Sequence, residues 1–354
     1  MFKPNYKITP SILEKVSKFE NLRGEIDNSF VLPEREISLR YRASVEATYS
    51  STSIENNPLT KAEVEAVLAG KTIARARNHI AEVKNYKKAL EYIEERKQTG
   101  APISKEDILK IHKLTMAGLL ETTKSGHFRD GPVYVVAVSG ESEKILYTAP
   151  PASDVEQLID RLLYWLNNEA TDTHPAIVAA ILHIEFVNIH PFADGNGRLS
   201  RLLVLLYLGL LKADFRCVLV PENYYIADRP AYYEAIRAVQ GKDYRENRFP
   251  DLTSWIEYFT TGLVYSALEV LEAITLVETP LATRFKKKYS REEVDILSYV
   301  KQFGSISIET ATEILPNRNR RTVQRRLKSL TENGQLRILG KGKNTIYLWP
   351  ESDD

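Results

Sequence analysis

The chain has 354 residues, 43% hydrophobic and 27% charged, which suits two or three domains and excludes a wholly disordered or fibrous protein. Lys and Arg number 48 against 47 Asp and Glu, and the formal net charge of +1 excludes nothing about binding, because opposite charges can be segregated along a chain. The single cysteine, Cys217, excludes an intramolecular disulfide and a thiol-based zinc site, so a reducing, cytoplasmic setting is expected.

The first ten residues, MFKPNYKITP, carry no apolar run of secretory type. SILEKVSKFENLRGEI then has helix-forming residues at apolar spacing, as does KAEVEAVLAG after Thr60. In HIAEVKNYKKALEYIEERKQ the residues Ile80, Val83, Tyr86, Ala89 and Ile93 recur at helical spacing. Ser104 caps the next helix, with Glu106 and Asp107 in its first turn. VYVVAV, the turn cluster SGES and KILYTAP read as one β-hairpin, Val133 to Thr148. Helices resume with SDVEQLIDRLLYWLNNE, AIVAAILHIEF and the apolar helix after Arg198. That helix contains LLVLLYLGLL, Leu202 to Leu211, about half the roughly 20 residues of a membrane span, and is expected in the core. SWIEYFTTGLVYSALEVLEAITLVE continues to Glu278, and the basic, proline-containing stretch from Thr279 marks a domain boundary.

Chemistry concentrates in HPFADGNGRLSR, His190 to Arg201. Gly195, Asn196 and Gly197 precede a helix and can point backbone N–H groups into one concavity, where the helix dipole adds positive potential suited to phosphate. Asp194 is a candidate ligand for Mg²⁺, which favours one or two carboxylates plus phosphate oxygens. Arg198 and Arg201 lie one turn apart and can face one phosphate chain, and a neutral His190 can take a proton near neutral pH. Read without the rest, DGNG is a turn, His190 a cap and the arginines a solvated face.

The whole string resembles the HPFx[D/E]GNGRxxR signature of the Fic family, and the resemblance covers roughly Ser104 to Ala238. It implies a mainly α fold: a Fic-type helical core with a β-hairpin flap. It also implies a protein adenylyltransferase that moves AMP from ATP to a Ser, Thr or Tyr hydroxyl of a protein and releases pyrophosphate. His190 would be the general base, Asp194 the ligand of Mg²⁺ or Mn²⁺, and the Gly195–Asn196–Gly197 backbone the phosphate cradle. Arg198 would contact the phosphate chain and Arg201 the γ-phosphate, with Phe192 a core anchor. Doc-like kinases of the family carry Lys where this chain has Gly197, so the resemblance favours AMP transfer. The hairpin resembles the Fic flap, which aligns a target strand by main-chain pairing. ENYYIADRPAYYEAI resembles the segment that encloses the nucleotide, so one of Tyr232 and Tyr233 stacks on adenine and the other is core. His183 and Glu185 read as structural, and His127 and Arg129 as positioning the flap.

SSTSIENNPLT, Ser50 to Thr60, resembles the inhibitory motif [S/T]xxxE[G/N] through Ser51, Glu55 and Asn56. Ser51 and Glu55 are i, i+4 on a helix and share a face. The resemblance implies that Glu55 pairs with Arg201 at rest and keeps the γ-phosphate from its partner. In some relatives the same glutamate helps remove AMP, so the reverse reaction stays open. From Ser290 the chain reads as three helices and two strands, an order resembling a winged helix-turn-helix. Pro316 to Lys343 holds nine Lys or Arg and one acid. Arg318, Arg320, Arg321, Arg325 and Arg326, with Lys341 and Lys343 on the wing, are the candidate DNA contacts, protein contact being the alternative.

The domains expected are 1–103, an N-terminal helical region with the inhibitory motif; 104–278, the catalytic core with trailing helices; and 279–354, the winged helix. Expected partners are ATP, a target protein on the flap, and DNA through the C-terminal domain. Self-modification and a homodimer stay open, and no membrane is expected. The alternatives to adenylyl transfer are a DNA-binding regulator whose core senses nucleotide, or transfer of another group.

Overall fold

Thr9 opens the first helix: its side chain accepts the N–H of Ile12, and Pro10 follows where no intrahelical donor is lost. The computed structural model describes residues 2–29, 31, 33–139, 142–246, 250–275, 289–316, 318–340, 342 and 345–350. In chain order the first elements are α1 (Pro10–Asn28), α2 (Pro33–Ile54), α3 (Lys61–Leu68), α4 (Arg77–Lys97) and α5 (Lys105–Thr115). The hairpin β1 (Tyr134–Ser139) and β2 (Ser142–Thr148) follows, then α6 (Ala152–Tyr164), α7 (Pro175–Ile189) and α8 (Asn196–Leu210). α9 (Glu222–Ala227), α10 (Arg229–Gln240) and α11 (Thr253–Thr275) complete the helical core. The fold is mainly α, as expected. The expected helix ending at Glu278 is described to Thr275; 276–278 and the boundary at Thr279 lie outside the described residues.

Two helices were read differently from the sequence. α2 is 22 residues long, whereas only its C-terminal end was expected to be helical. The helix expected over 153–169 stops at Tyr164 and finishes as a π-helical turn, Trp165–Glu169. The Ser104 cap is present as a full capping box, Ser104 and Asp107 each satisfying the other's backbone N–H.

α7 is buried on every face along nearly its whole length, so it forms the centre of the core. It packs on α8, α11 and α6, and Trp255 on α11 donates its indole N–H to the carbonyl of Ala180 at 2.7 Å. These contacts fix both ends of the loop that joins α7 to α8.

β1 and β2 pair antiparallel, Tyr134 opposite Thr148, with a bulge at Val135–Val136. The hairpin base is tied down from two sides. Thr148 donates its N–H to the carbonyl of Lys242 and accepts from the N–H of Tyr244, and the Tyr147 hydroxyl donates to the carbonyl of Asn188 at 2.7 Å.

The C-terminal module runs α12 (Arg291–Phe303), β3 (Ser305–Ser307), α13 (Ile308–Glu313), α14 (Arg320–Glu332), β4 (Arg337–Leu339) and β5 (Ile346–Leu348). Its antiparallel sheet has the order β3-β5-β4, and β3 is an element the sequence reading lacked. α12 packs on α2, where Arg40 pairs with Asp295 at 3.0 Å, and the Tyr299 hydroxyl donates to Glu95 on α4 at 3.0 Å. Among the described residues no helix is long and apolar enough to cross a membrane.

Candidate active site

α7 ends on His190, whose backbone is left-handed at φ 50°, an uncommon state for a residue with a side chain. The twist turns the imidazole out of the helix line while the His190 N–H still donates to the carbonyl of Phe186. Nδ1 lies 3.2 Å from the carbonyl of Val187, which makes it the protonated nitrogen and leaves Nε2 as the acceptor. Burial lowers the His190 pKa, partly offset by that backbone hydrogen bond, so the ring is neutral at neutral pH.

Beyond the loop, Gly195 is also left-handed, at φ 83°, and a Cβ there would run into the side chain of Met116. No side chain caps the helix that starts at Asn196, so its first N–H groups face outward together with the dipole's positive end. The Asn196 side chain staples the loop instead, accepting from the Phe192 N–H at 3.0 Å and donating to the Phe192 carbonyl at 2.8 Å. Asp194 is largely exposed, its carboxylate accepting from the Gly195 N–H and reaching Arg198 at 3.4 Å. Among the described residues no group of three or more His, Cys, Asp or Glu could hold a metal ion by itself. A lone exposed carboxylate fits an ion whose other ligands are phosphate oxygens and water.

The two arginines are buried and already engaged. Arg198 donates to Glu82 on α4 at 2.6 Å. Arg201 donates Nε to the Ser51 hydroxyl at 2.9 Å, and Nη2 to the Ser51 carbonyl at 3.0 Å and to Glu55 at 2.8 Å. Burial alone would push the Glu55 carboxyl up, but the charge and hydrogen bond of Arg201, helped by Arg198 and Arg229, hold it below the usual range. The Glu55 carboxylate fills the space where a side chain on residue 197 would stand. Asn56 is left-handed at φ 69° and ends the helical path, its side chain accepting from Arg229 at 2.7 Å.

Of the paired tyrosines, Tyr232 is corrected to core. It is 1% exposed, stacks on Tyr225 with ring centroids 4.7 Å apart, and its hydroxyl meets His183 Nε2 at 3.0 Å. Tyr233 stays half-buried beside the inhibitory turn, its hydroxyl donating to the carbonyl of Ile54 and Arg229 lying over its ring. His183 and Glu185 are buried. Arg129 donates to the carbonyls of His190, Gly131 and Pro150, joining the end of α7 to the foot of the hairpin.

Three site residues escaped the sequence reading. Glu82 holds Arg198. Glu222 is buried behind Arg201, its carboxyl pushed up to about 7 by burial. His112, on α5, stacks on Phe192 at 3.7 Å, donates Nε2–H to the Asp194 carbonyl at 3.0 Å and accepts the Gly126 N–H at 2.9 Å. Its signal was a histidine on the apolar face of a helix, one turn beyond Ile108.

On the C-terminal module, Arg318, Arg320 and Arg326 are committed to ion pairs: Arg318 with Glu292 at 2.6 Å, Arg320 with Glu309 at 2.8 Å, and Arg326 with Glu292 and Glu293 at 3.6 Å. Arg321 and Arg325 are exposed on the outer face of α14, and Lys341 and Lys343 lie outside the described residues.

Residues 102–208 match the family model described as Fic/DOC family. Among curated proteins, the chain is 31% identical over 235 residues to a protein adenylyltransferase Fic of Drosophila erecta and 30% identical to that of Drosophila melanogaster. Each alignment covers 64% of this chain and 44% of the relative, so the chain spans less than half the length of the curated relatives it matches. Among solved structures, a Fic family protein from Desulfovibrio desulfuricans G20 superposes with a TM-score of 0.64 at 26% identity over 100% of both chains. Fic-1 from C. elegans matches in fold, with a TM-score of 0.60 at 23% identity over 75% of this chain and 73% of that one. Residues 102–208 are thus a Fic/DOC family domain within a longer chain.

Proposed function

We propose that the chain is a protein adenylyltransferase held back by its own Glu55. The observation that carries this reading is one juxtaposition: a neutral His190 with its Nε2 lone pair free, one loop away from an uncapped helix start and two buried arginines. Nε2 would take the proton of a target hydroxyl as its oxygen attacks the α-phosphorus of ATP, with pyrophosphate leaving. The outward N–H groups of α8, Arg198 and Arg201 would hold the charge that moves onto the phosphates. Asp194 would hold the Mg²⁺ that accompanies ATP and neutralises part of that charge.

Glu55 opposes this arrangement twice. It occupies Arg201, the proposed γ-phosphate ligand, and it fills the gap beside Gly197 that a phosphate would need. A target strand would pair with the hairpin edge, where Tyr134, Val136 and Ile145 offer exposed apolar side chains. Tyr233 is the tyrosine left for adenine. Incubation with α-labelled ATP and Mg²⁺ tests the reading: covalent label appears on protein with the Glu55→Gly form and is lost in Glu55→Gly/His190→Ala. Equal labelling by both forms defeats it.

We read 279–354 as a winged helix domain, 1–103 as the inhibitory region and 104–278 as the catalytic core. With Arg318, Arg320 and Arg326 paired internally, contact with DNA rests on the outer face of α14, Arg321 and Arg325. A gel-shift at low salt with the Arg321→Ala/Arg325→Ala form as control decides it; no shift of duplex DNA by the parent removes DNA as a partner.

A further inference from the structure

A helix leaves its last four carbonyls without an intrahelical donor, and buried carbonyls are seldom left unbonded. At the end of α7 those four are the carbonyls of Val187, Asn188, Ile189 and His190. The first faces His190 Nδ1 at 3.2 Å, and the second accepts from the Tyr147 hydroxyl at 2.7 Å. The last two both go to Arg129, whose Nε donates to His190 at 2.8 Å and whose Nη2 donates to Ile189 at 3.4 Å. The Arg129 backbone N–H adds a bond to the carbonyl of Pro191 at 3.0 Å. One residue thus holds three successive carbonyls, 189 to 191, across the point where the chain turns left-handed at His190.

The chemistry of this arrangement points to a use. Arg129 is 7% exposed, and among the described residues no carboxylate pairs with it. A buried guanidinium without an anion is costly, and carbonyls at the negative end of a helix dipole offset only part of that cost. Its other bonds run away from α7, Nη1 to the carbonyl of Gly131 at 2.9 Å and Nη2 to that of Pro150 at 2.5 Å, and these two residues flank the hairpin. The charge also bears on the imidazole. Burial does most to keep the His190 ring neutral, and Arg129 adds to it. Glu55 at the end of α2 and Asp194 on the loop act in the opposite direction, towards the protonated ring.

We propose, resting on the reading of His190 as the base of adenylyl transfer, that Arg129 is its positioning residue: it fixes the left-handed turn that aims the imidazole and holds that turn at one distance from the foot of the hairpin. A target strand on the hairpin and the imidazole that takes its proton are then referred to one guanidinium. Lysine keeps the charge but brings its donors from a single nitrogen, so it cannot reproduce a planar fork spread over four carbonyls.

The test uses the full chain in its Glu55→Gly form, with Arg129→Lys and Arg129→Met added separately. Three quantities are read: transfer of label from α-labelled ATP to lysate protein at saturating ATP, ATP affinity by calorimetric titration, and the protonation midpoint of the His190 ring by NMR. The ring signal is assigned by its loss in His190→Ala. Arg129→Lys lowers transfer roughly tenfold to a hundredfold while ATP affinity stays within about threefold, the pattern of a displaced base. Its His190 midpoint stays near that of the Glu55→Gly form. Arg129→Met lowers transfer as deeply and moves the midpoint upward, because a positive charge that disfavours the imidazolium has gone. Full transfer by Arg129→Lys overturns the proposal, as does a loss of transfer matched by an equal loss of ATP affinity, or a midpoint that ignores Arg129→Met. Arg129→Lys retains the buried charge, so it decides the question even where Arg129→Met fails to fold. The midpoint is read without any transfer, so absence of label from every form, Glu55→Gly included, counts against adenylyl transfer and leaves the midpoint to judge Arg129.

Discussion

Glu55→Gly is the substitution with the most to say about this molecule. The carboxylate is 2.8 Å from Arg201 Nη2, with 27% of the Glu55 side chain and 2% of the Arg201 side chain exposed. At a charge separation of about 4 Å and an effective dielectric of about 20, the attraction is about 4 kcal/mol. Water at the open side of Glu55 screens part of it, leaving about 2–3 kcal/mol. A phosphate that claims Arg201 must displace this interaction, so its removal is worth about 30- to 150-fold in productive nucleotide binding. Arg201 keeps its two bonds to Ser51 in the variant, so the ligand-binding geometry survives. The assay is transfer of label from α-labelled ATP, with ATP affinity measured alongside. Glu55→Gln separates the two ways in which Glu55 opposes the phosphate. If charge dominates, Gln gains most of the increase; if occupied space dominates, Gln stays near the parent and only Gly is fast. A Glu55→Gly form within about threefold of the parent at saturating ATP refutes the reasoning, because a displaced 2 kcal/mol would be visible. The pair also has a pH signature. The Glu55 pKa is lowered in the fold, so its stabilisation is present above the unfolded value and is lost only as pH falls through the lowered one. The restraint therefore stays constant from pH 6 to 8.

Other substitutions probe the groups around this pair. Ser51→Ala leaves Arg201 Nε buried without an acceptor and should cost about 1–3 kcal/mol in urea denaturation, with an increase in transfer smaller than that of Glu55→Gly. His112→Phe keeps a ring against Phe192 but abandons the Asp194 carbonyl and the Gly126 N–H; a loss of about 2–3 kcal/mol is expected, and an unchanged midpoint would show that these bonds carry no load. Glu185 is pushed up to about 8 by burial, against an unfolded carboxyl near 4.3. Between those values the folded state holds the extra proton, so stability falls as pH rises, by up to about 1.4 kcal/mol per unit. Glu185→Gln should flatten that slope and be the more stable form at pH 8; parallel slopes for the two proteins would remove Glu185 as the cause.

What could be read from the sequence was what lies close together in it. His190 to Arg201 is one contiguous loop, and its glycines and arginines signal a phosphate site because backbone geometry and i, i+3 spacing are local properties. The Glu55–Arg201 pair spans 146 positions and was reachable only through the motif resemblance. Glu82, His112 and Glu222 had no motif to mark them, since each reaches the site from another helix through packing that no short window encodes. α2 was hidden for a different reason. Its positions Glu36, Arg40, Ser44, Thr48, Ser51 and Thr52 are buried yet polar, so the apolar period that betrays an amphipathic helix is interrupted. Ser44, Thr48 and Thr52 bond back to carbonyls three or four residues earlier, which satisfies them without a partner element. The apolar side chains that α2 buries, Ile37, Leu39, Val45, Ala47 and Ile54, are interleaved with this polar set, and ties from Arg40 to α12 and from Ser51 to Arg201 add to their packing. The polar face that conceals α2 from pattern reading is also what joins it to the site, since the Ser51 hydroxyl accepts from Arg201 Nε, a bond that no apolar side chain could supply.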